Sequence, residues 1–231
     1  MANRTVLVTG ATGGLGTAVS AAFVAAGWRV VAPQRRQPDP LGGPEPNAPV
    51  RMVADLTDPT DVARVAEVAA GDPESPLRAV VNLVGGYASG GLVHETPVED
   101  FERMLTLNLR PTHLVTRAAL PHLISAGGGA VVCVAARAAV APFSGVGGYV
   151  TAKAAVLGFA AAVAVEYKVA GVRCNTVLPS VIDTPTNRDA MPDADHTRWV
   201  DPAEIASVIR FLASDESAPT SGAAVPVYGR A

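Results

Sequence analysis

Two cysteines, 5% aromatic residues and 17% charged residues are low counts for a chain of 231 residues, and each shortage excludes something. Cys133 and Cys174 both lie in apolar, strand-like runs. They read as reduced core thiols, which excludes a disulfide-stapled secreted scaffold and a cysteine nucleophile. The net charge is −3 and no basic patch or run stands out, so nucleic acid is not an expected partner. No apolar segment is expected to reach membrane-spanning length, and the first strand begins almost at Met1, leaving no room for a signal peptide. A cytoplasmic protein without a membrane partner is therefore expected. His94, His113, His122 and His196 show no ligand spacing. Asp193, Asp195 and His196 read as a polar stretch with helix-capping acids, so no metal is expected.

What the chain has in quantity is apolar residues, 49% of the total, enough for one large core. Strand-like and helix-like patterns alternate along it. Strands are predicted at Thr5–Thr9, 29–32, 51–54, 78–83, 130–135, 172–177 and 223–228. Helices are predicted over 17–26, 58–70, 98–124 and 149–169, with Pro111 and Pro121 marking kinks or breaks in the third. Asp201 and Pro202 open a last helix as N-cap and first-turn proline. Residues 37–49, crowded with Pro and Gly, read as a mobile loop. Such alternation implies an α/β fold: a single doubly wound Rossmann domain over 1–231, with a seven-stranded parallel sheet covered by helices on both faces.

Two stretches carry chemistry. Tyr149-Val150-Thr151-Ala152-Lys153 sets a phenol and an ammonium four residues apart on one helix face. A nearby cation favours the phenolate and is expected to lower the Tyr149 pKa, as a proton donor at neutral pH requires. The first strand runs into Gly10-Ala11-Thr12-Gly13-Gly14-Leu15-Gly16 and then into a helix. Strand, glycine turn and helix make a dinucleotide site, because the glycines let a pyrophosphate approach the free N–H groups of the helix start.

The pattern T-G-x-x-x-G-x-G over 9–16, together with Y-x-x-x-K at Tyr149 and Lys153, resembles the short-chain dehydrogenase/reductase family. Further matches in family order are Asp55-Leu56, Asn82, Gly85, Asn108 and the stretch 179–184, so the resemblance covers nearly the whole chain. It implies an enzyme in which Tyr149 donates the proton, Lys153 also binds the nicotinamide ribose and Asn108 anchors the water of a proton relay. Gly10, Thr12, Gly14, Leu15 and Gly16 would cradle the pyrophosphate, Asp55 and Leu56 contact the adenine, and Asn82 and Gly85 meet the cofactor at the sheet edge. Pro179, Val181, Ile182 and Thr184 would cover the carboxamide and begin a substrate lid over 179–200. NAD-dependent members place an acid where Gln34 stands here, followed by Arg35 and Arg36. With no carboxylate to repel a 2′-phosphate and two guanidiniums to pair with it, NADP(H) is favoured over NAD(H). Self-association through the helices around 98–124 and 149–169, as a homodimer or homotetramer, is implied too.

One position departs from the pattern. Ala136 stands thirteen residues before Tyr149, where the family has a serine that hydrogen-bonds the substrate oxygen. Dihydropteridine reductases also carry a small residue there, and two stretches resemble that branch: 84–91, with Tyr87 where an indole is usual, and the lid through Trp199. Tyr87 and Trp199 are thus expected to flank a flat ring. The expected activity is hydride transfer to a small carbonyl or a conjugated, quinonoid dihydropterin-like imine. A generic ketoacyl or polyketide reductase and a non-catalytic NADP-binding protein are the alternatives.

Overall fold

The computed structural model describes residues 4–37 and 48–230, which leaves most of the expected 37–49 loop outside the described residues. Seven strands form one all-parallel sheet: β1 (Thr5–Thr9), β2 (Arg29–Gln34), β3 (Val50–Val53), β4 (Leu77–Asn82), β5 (Gly129–Val134), β6 (Val172–Pro179) and β7 (Ala224–Val227). Their spatial order is β3-β2-β1-β4-β5-β6-β7, so the winding reverses between β1 and β4. That reversal opens a crevice at the carboxyl ends of the two strands, the place where doubly wound sheets bind ligands.

Alternation along each strand divides the core in two. Val6, Val8, Val30, Val81, Val132 and Val177 face one side, where α1 (Gly14–Ala25) and α7 (Pro202–Ala213) supply Val19, Phe23, Ile205, Ile209 and Leu212. Leu7, Val31, Val80, Val131, Cys133 and Cys174 face the other. There α2 (Pro59–Ala70), α4 (Arg110–Ser125) and α5 (Gly147–Glu166) pack against them. Strands buried on both faces explain why β1 is continuously apolar or β-branched and not alternating.

The helical region expected over 98–124 is two helices, α3 (Val98–Asn108) and α4. Pro111 sits in the first turn of α4 and has no N–H to offer the carbonyl of Leu107, so the ladder breaks there. Pro121, inside α4, does not end its helix. Contrary to expectation, one segment is long and apolar enough to cross a membrane by length and composition: α5, at 20 residues. It packs on β6 and α3 and buries Lys153, as a core helix of this fold does.

Helices end at the amino edge of the sheet, and arginines from the strand starts meet them there. Arg29 donates to the carbonyls of Val68 (3.1 Å) and Ala69 (3.3 Å) at the end of α2. Arg78 donates to Ala126 at the end of α4. Arg173 donates to Leu212 (3.0 Å) and Ser214 (2.8 Å) at the end of α7. Each guanidinium satisfies orphan carbonyls and sits at the negative end of a helix dipole. Chemistry is thereby left to the opposite edge.

Candidate functional site

At the carboxyl edge, β1 turns into α1 through Gly10, whose φ of +68° suits a residue without a Cβ. A Cβ on Gly16 would lie 2.0 Å from the Gly10 carbonyl oxygen, and one on Gly14 would lie 2.6 Å from Cγ2 of Thr184. The turn therefore presents bare backbone. The N-cap Gly13 supplies no capping side chain, and the first turn of α1 carries no acid. Its free N–H groups and positive dipole end fit a pyrophosphate. Thr9 stitches the crevice floor, donating to Val81 O (3.4 Å) and accepting from the N–H groups of Leu83 (3.0 Å) and Val84 (3.3 Å).

Beyond β2, Gln34 donates to Arg36 O (2.6 Å) while its Oε1 is buried with no partner among the described residues, an acceptor suited to a ribose hydroxyl. Arg35 and Arg36 are exposed. Asp55 holds an Asx turn, accepting from Thr57 N (2.9 Å) and Thr57 Oγ1 (2.7 Å), and these bonds hold its pKa below the usual carboxylate value. Leu56 is buried beside it. Asn82 is buried and turned toward α4: its Nδ2 donates to Thr116 Oγ1 (3.0 Å) and Cys133 Sγ (3.8 Å), and its Oδ1 has no partner among the described residues.

The centre of the site is a knot of α3, α5 and the loop after β4. Lys153 is 7% exposed and donates from Nζ to Val134 O at 3.1 Å. Burial lowers its pKa to about 8, against a smaller opposing effect of Cys133. Nζ lies 5.9 Å from the centroid of the Tyr149 ring. The expectation that Lys153 lowers the Tyr149 pKa does not hold in this arrangement. Burial, and after it the Tyr87 phenol, push Tyr149 up to about 12. The ammonium is itself desolvated and turned to a carbonyl, so loss of water outweighs it at the phenol.

Asn108 spends both of its amide protons and one of its two Oδ1 lone pairs within the fold. Its Oδ1 accepts from Gly86 N (3.1 Å), and its Nδ2 donates to Gly86 O (3.1 Å) and Met104 O (3.0 Å). Gly85 threads between Asn108 and Lys153, since a Cβ there would lie 2.5 Å from Asn108 Oδ1 and 3.1 Å from Lys153 Nζ. A relay water at Asn108 could therefore only donate to it, since no amide proton is left to offer. This clasp escapes sequence reasoning, although the adjacent Gly85 and Gly86 hint at a close approach.

Ala136 precedes a short 3₁₀ turn, Arg137–Ala139, and is 9% exposed. Ser144 is exposed in the loop that follows. The Tyr87 ring stands edge-on to Tyr149, with centroids 5.1 Å apart and planes at 78°. Trp199 packs instead on His196 at 4.2 Å. Among the described residues no ring contact joins Tyr87 to Trp199, so the expected aromatic sandwich is not preassembled.

The lid base is well tied. After Pro179, Val181 O accepts from Val200 N (3.0 Å) and Val200 O accepts from Asp183 N (2.8 Å), closing residues 184–199 into an excursion. Within it, Thr184 caps the short helix α6 (Pro185–Ala190), Asn187 Nδ2 donates to Ile182 O (2.8 Å), and Arg188 pairs with Asp183 through two nitrogens. Thr184 meets Gly14 across the crevice, so glycine turn and lid base form its two walls. Among the described residues no cluster of three His, Cys, Asp or Glu could hold a metal ion.

Comparison with known proteins fits this geometry. A family profile described as short chain dehydrogenase matches residues 4–195. The chain is 31% identical to the 2-(R)-hydroxypropyl-CoM dehydrogenase of Xanthobacter autotrophicus, over 98% of each protein. It is 32% identical to the mouse (3R)-3-hydroxyacyl-CoA dehydrogenase, over 96% of this chain and 94% of that one. A short-chain type dehydrogenase/reductase from Mycobacterium ulcerans superposes with a TM-score of 0.89 at 27% identity, covering 98% of this chain and 89% of that one.

Proposed function

The chain belongs to the short-chain dehydrogenase family, and we propose that within it the protein is an NADPH-dependent reductase of a small carbonyl compound. The observation that carries the reading is the convergence of Tyr149, Lys153 and Gly85 at the carboxyl edge, beside a glycine turn that admits a pyrophosphate. Family relatives named for hydroxypropyl and hydroxyacyl substrates support a ketone as the group reduced.

Bound NADPH supplies the hydride. Tyr149, protonated throughout the physiological range, supplies the proton to the substrate oxygen. Lys153 holds a positive charge below about pH 8 and can bind a ribose hydroxyl by exchanging its bond to Val134 O. Asn108 fixes the Gly85–Gly86 backbone, and Thr184 with Val181 and Ile182 closes over the crevice from the lid side. Arg35 and Arg36 would pair with a 2′-phosphate, and Gln34 Oε1, which has no partner among the described residues, would accept a ribose hydroxyl. Cytoplasmic residence and homo-oligomerisation, as a dimer or tetramer through the helices of 98–124 and 149–169, belong to the same reading.

A second reading rests on Ala136: an electron-poor conjugated ring, such as a quinonoid dihydropterin, accepts hydride at an imine-type system, where stabilising a developing alkoxide matters less than it does for a ketone. NADPH oxidation separates the readings when it is followed with quinonoid dimethyldihydropterin, acetoacetyl thioester and phenanthrenequinone. Tyr149→Phe should abolish turnover of the accepted substrate while NADPH still binds by fluorescence. Undiminished activity in that variant would remove Tyr149 as donor.

A further inference from the structure

A carbonyl oxygen has two lone pairs, and a proton donor occupies only one. Ala136 offers the other a methyl group, and Ser144 is exposed in the following loop, eight residues along the chain. The loop after β4 supplies another hydroxyl. Asn108 grips both the N–H and the C=O of Gly86, the residue immediately before Tyr87. A Cβ on Gly86 would lie 2.5 Å from Leu107 Cδ2, so the loop lies flat against α3. Gly90 N donates to Gly145 O at 2.8 Å, fastening the far end of the same loop to the segment that precedes Tyr149. Between these two anchors Tyr87 stands edge-on to Tyr149, with 58% of its surface exposed.

We propose that the Tyr87 hydroxyl is the second hydrogen-bond donor to the substrate oxygen, standing in for the hydroxyl that Ala136 lacks. The inference rests on the carbonyl-reductase reading above. The substrate oxygen sits between two phenols: Tyr149 gives up its proton as the hydride reaches the carbon, and Tyr87 keeps its own and donates only a hydrogen bond. No bond of Tyr87 breaks, so the balance of the reaction is unchanged. A phenol is a stronger donor than an aliphatic hydroxyl, and its ring adds a flat wall, which selects carbonyls set in or beside a planar, conjugated group. Asn108 becomes a positioning residue through Gly86. The Tyr87 effect on Tyr149 ionisation agrees with two hydroxyls facing one space.

Tyr87→Phe keeps the ring contact and removes the hydroxyl. With whichever of the two carbonyl substrates, acetoacetyl thioester or phenanthrenequinone, turns over, kcat should fall about 100-fold, the scale for losing one such donor, with KM changed less than about threefold. Adding Ala136→Ser to Tyr87→Phe should restore at least about tenfold, because the usual donor returns. Wild-type kcat in Tyr87→Phe would overturn the inference while leaving Tyr149 as donor intact; activity in Tyr149→Phe would overturn the underlying reading instead. A measurement that needs no turnover uses apoprotein with its four tyrosines replaced by 3-fluorotyrosine, followed by fluorine NMR against pH. Tyr87→Phe should remove one signal and move the Tyr149 titration to lower pH. An unmoved titration means that the hydroxyls do not share a space, and the inference fails.

Discussion

Lys153 offers the sharpest physical test, because its burial sets a stability that depends on pH. Its pKa falls from 10.5 in the unfolded chain to about 8 in the fold, through burial. The difference, 10.5 − 8 = 2.5 units, corresponds at 1.36 kcal/mol per unit to about 3 kcal/mol of destabilisation from the buried charge at pH 7. The sign follows from proton counting. Between pH 8 and 10.5 the unfolded chain keeps a proton that the folded chain has released, so stability rises with pH across this window. Lys153→Met removes the charge and keeps the stem, at the loss of the bond to Val134 O, worth about 1 kcal/mol. The apoprotein variant should therefore be about 2 kcal/mol more stable than the wild type at pH 7, roughly 4–8 °C in Tm. The advantage should vanish by about pH 10, before ionisation of Tyr149, whose folded pKa is raised, begins to lower stability in both proteins. Only two lysines occur in the chain, and Lys168 is exposed; the buried thiols Cys133 and Cys174 also titrate differently on folding, but they are common to both proteins, so the comparison is read from the difference between the two curves. Calorimetry of both apoproteins from pH 6 to 10 decides the matter. Parallel Tm curves would refute the burial argument.

Arg35→Ala with Arg36→Ala should raise the NADPH Kd about 10- to 100-fold, the scale of one or two charge-assisted hydrogen bonds, and leave NADH nearly unchanged. Equal loss for both nucleotides, by fluorescence titration, would argue against a 2′-phosphate site. Arg173→Met removes bonds to Leu212 O, Ser214 O, Ser217 Oγ and Thr220 O on one half-buried side chain. Urea unfolding should show a loss of about 2–3 kcal/mol with nucleotide affinity unchanged, since α7 ends at the edge opposite the site.

The reach of the sequence differs from layer to layer for physical reasons. Strand identity was legible because burial on both faces demands unbroken apolar runs, and Thr5–Thr9 is such a run. The glycine turn and the Tyr149–Lys153 pair were legible because their geometry is local, fixed within one turn of chain. Helix breaks were half legible: Pro111 and Pro121 look alike in the sequence, yet only Pro111 coincides with a boundary. Long-range partners were not legible. Arg173 reaches 41 residues to Ser214, and Asn108 reaches back 22 residues to Gly86; neither arginine nor asparagine declares its partner. The sign of the Tyr149 shift also lay outside the sequence, because spacing reveals the cation but not the water that folding removes.

That sign has a consequence for the direction of catalysis. A phenol with a pKa of about 12 is ionised to roughly one part in 10⁵ at pH 7. Reduction needs the neutral phenol, which is present in full from acid to strongly alkaline pH. Oxidation of an alcohol, the direction in which the relatives are named, needs a phenolate to accept the proton. The group able to stabilise a phenolate is Lys153, one helical turn away. Its own pKa of about 8 means that it discharges long before the phenol ionises. Raising the pH to favour the phenolate therefore removes the cation that would support it, and the two titrations work against each other. In the apoprotein the pair is therefore set to donate a proton, and the phenolate that alcohol oxidation requires calls for binding to draw the ammonium from Val134 O toward the phenol.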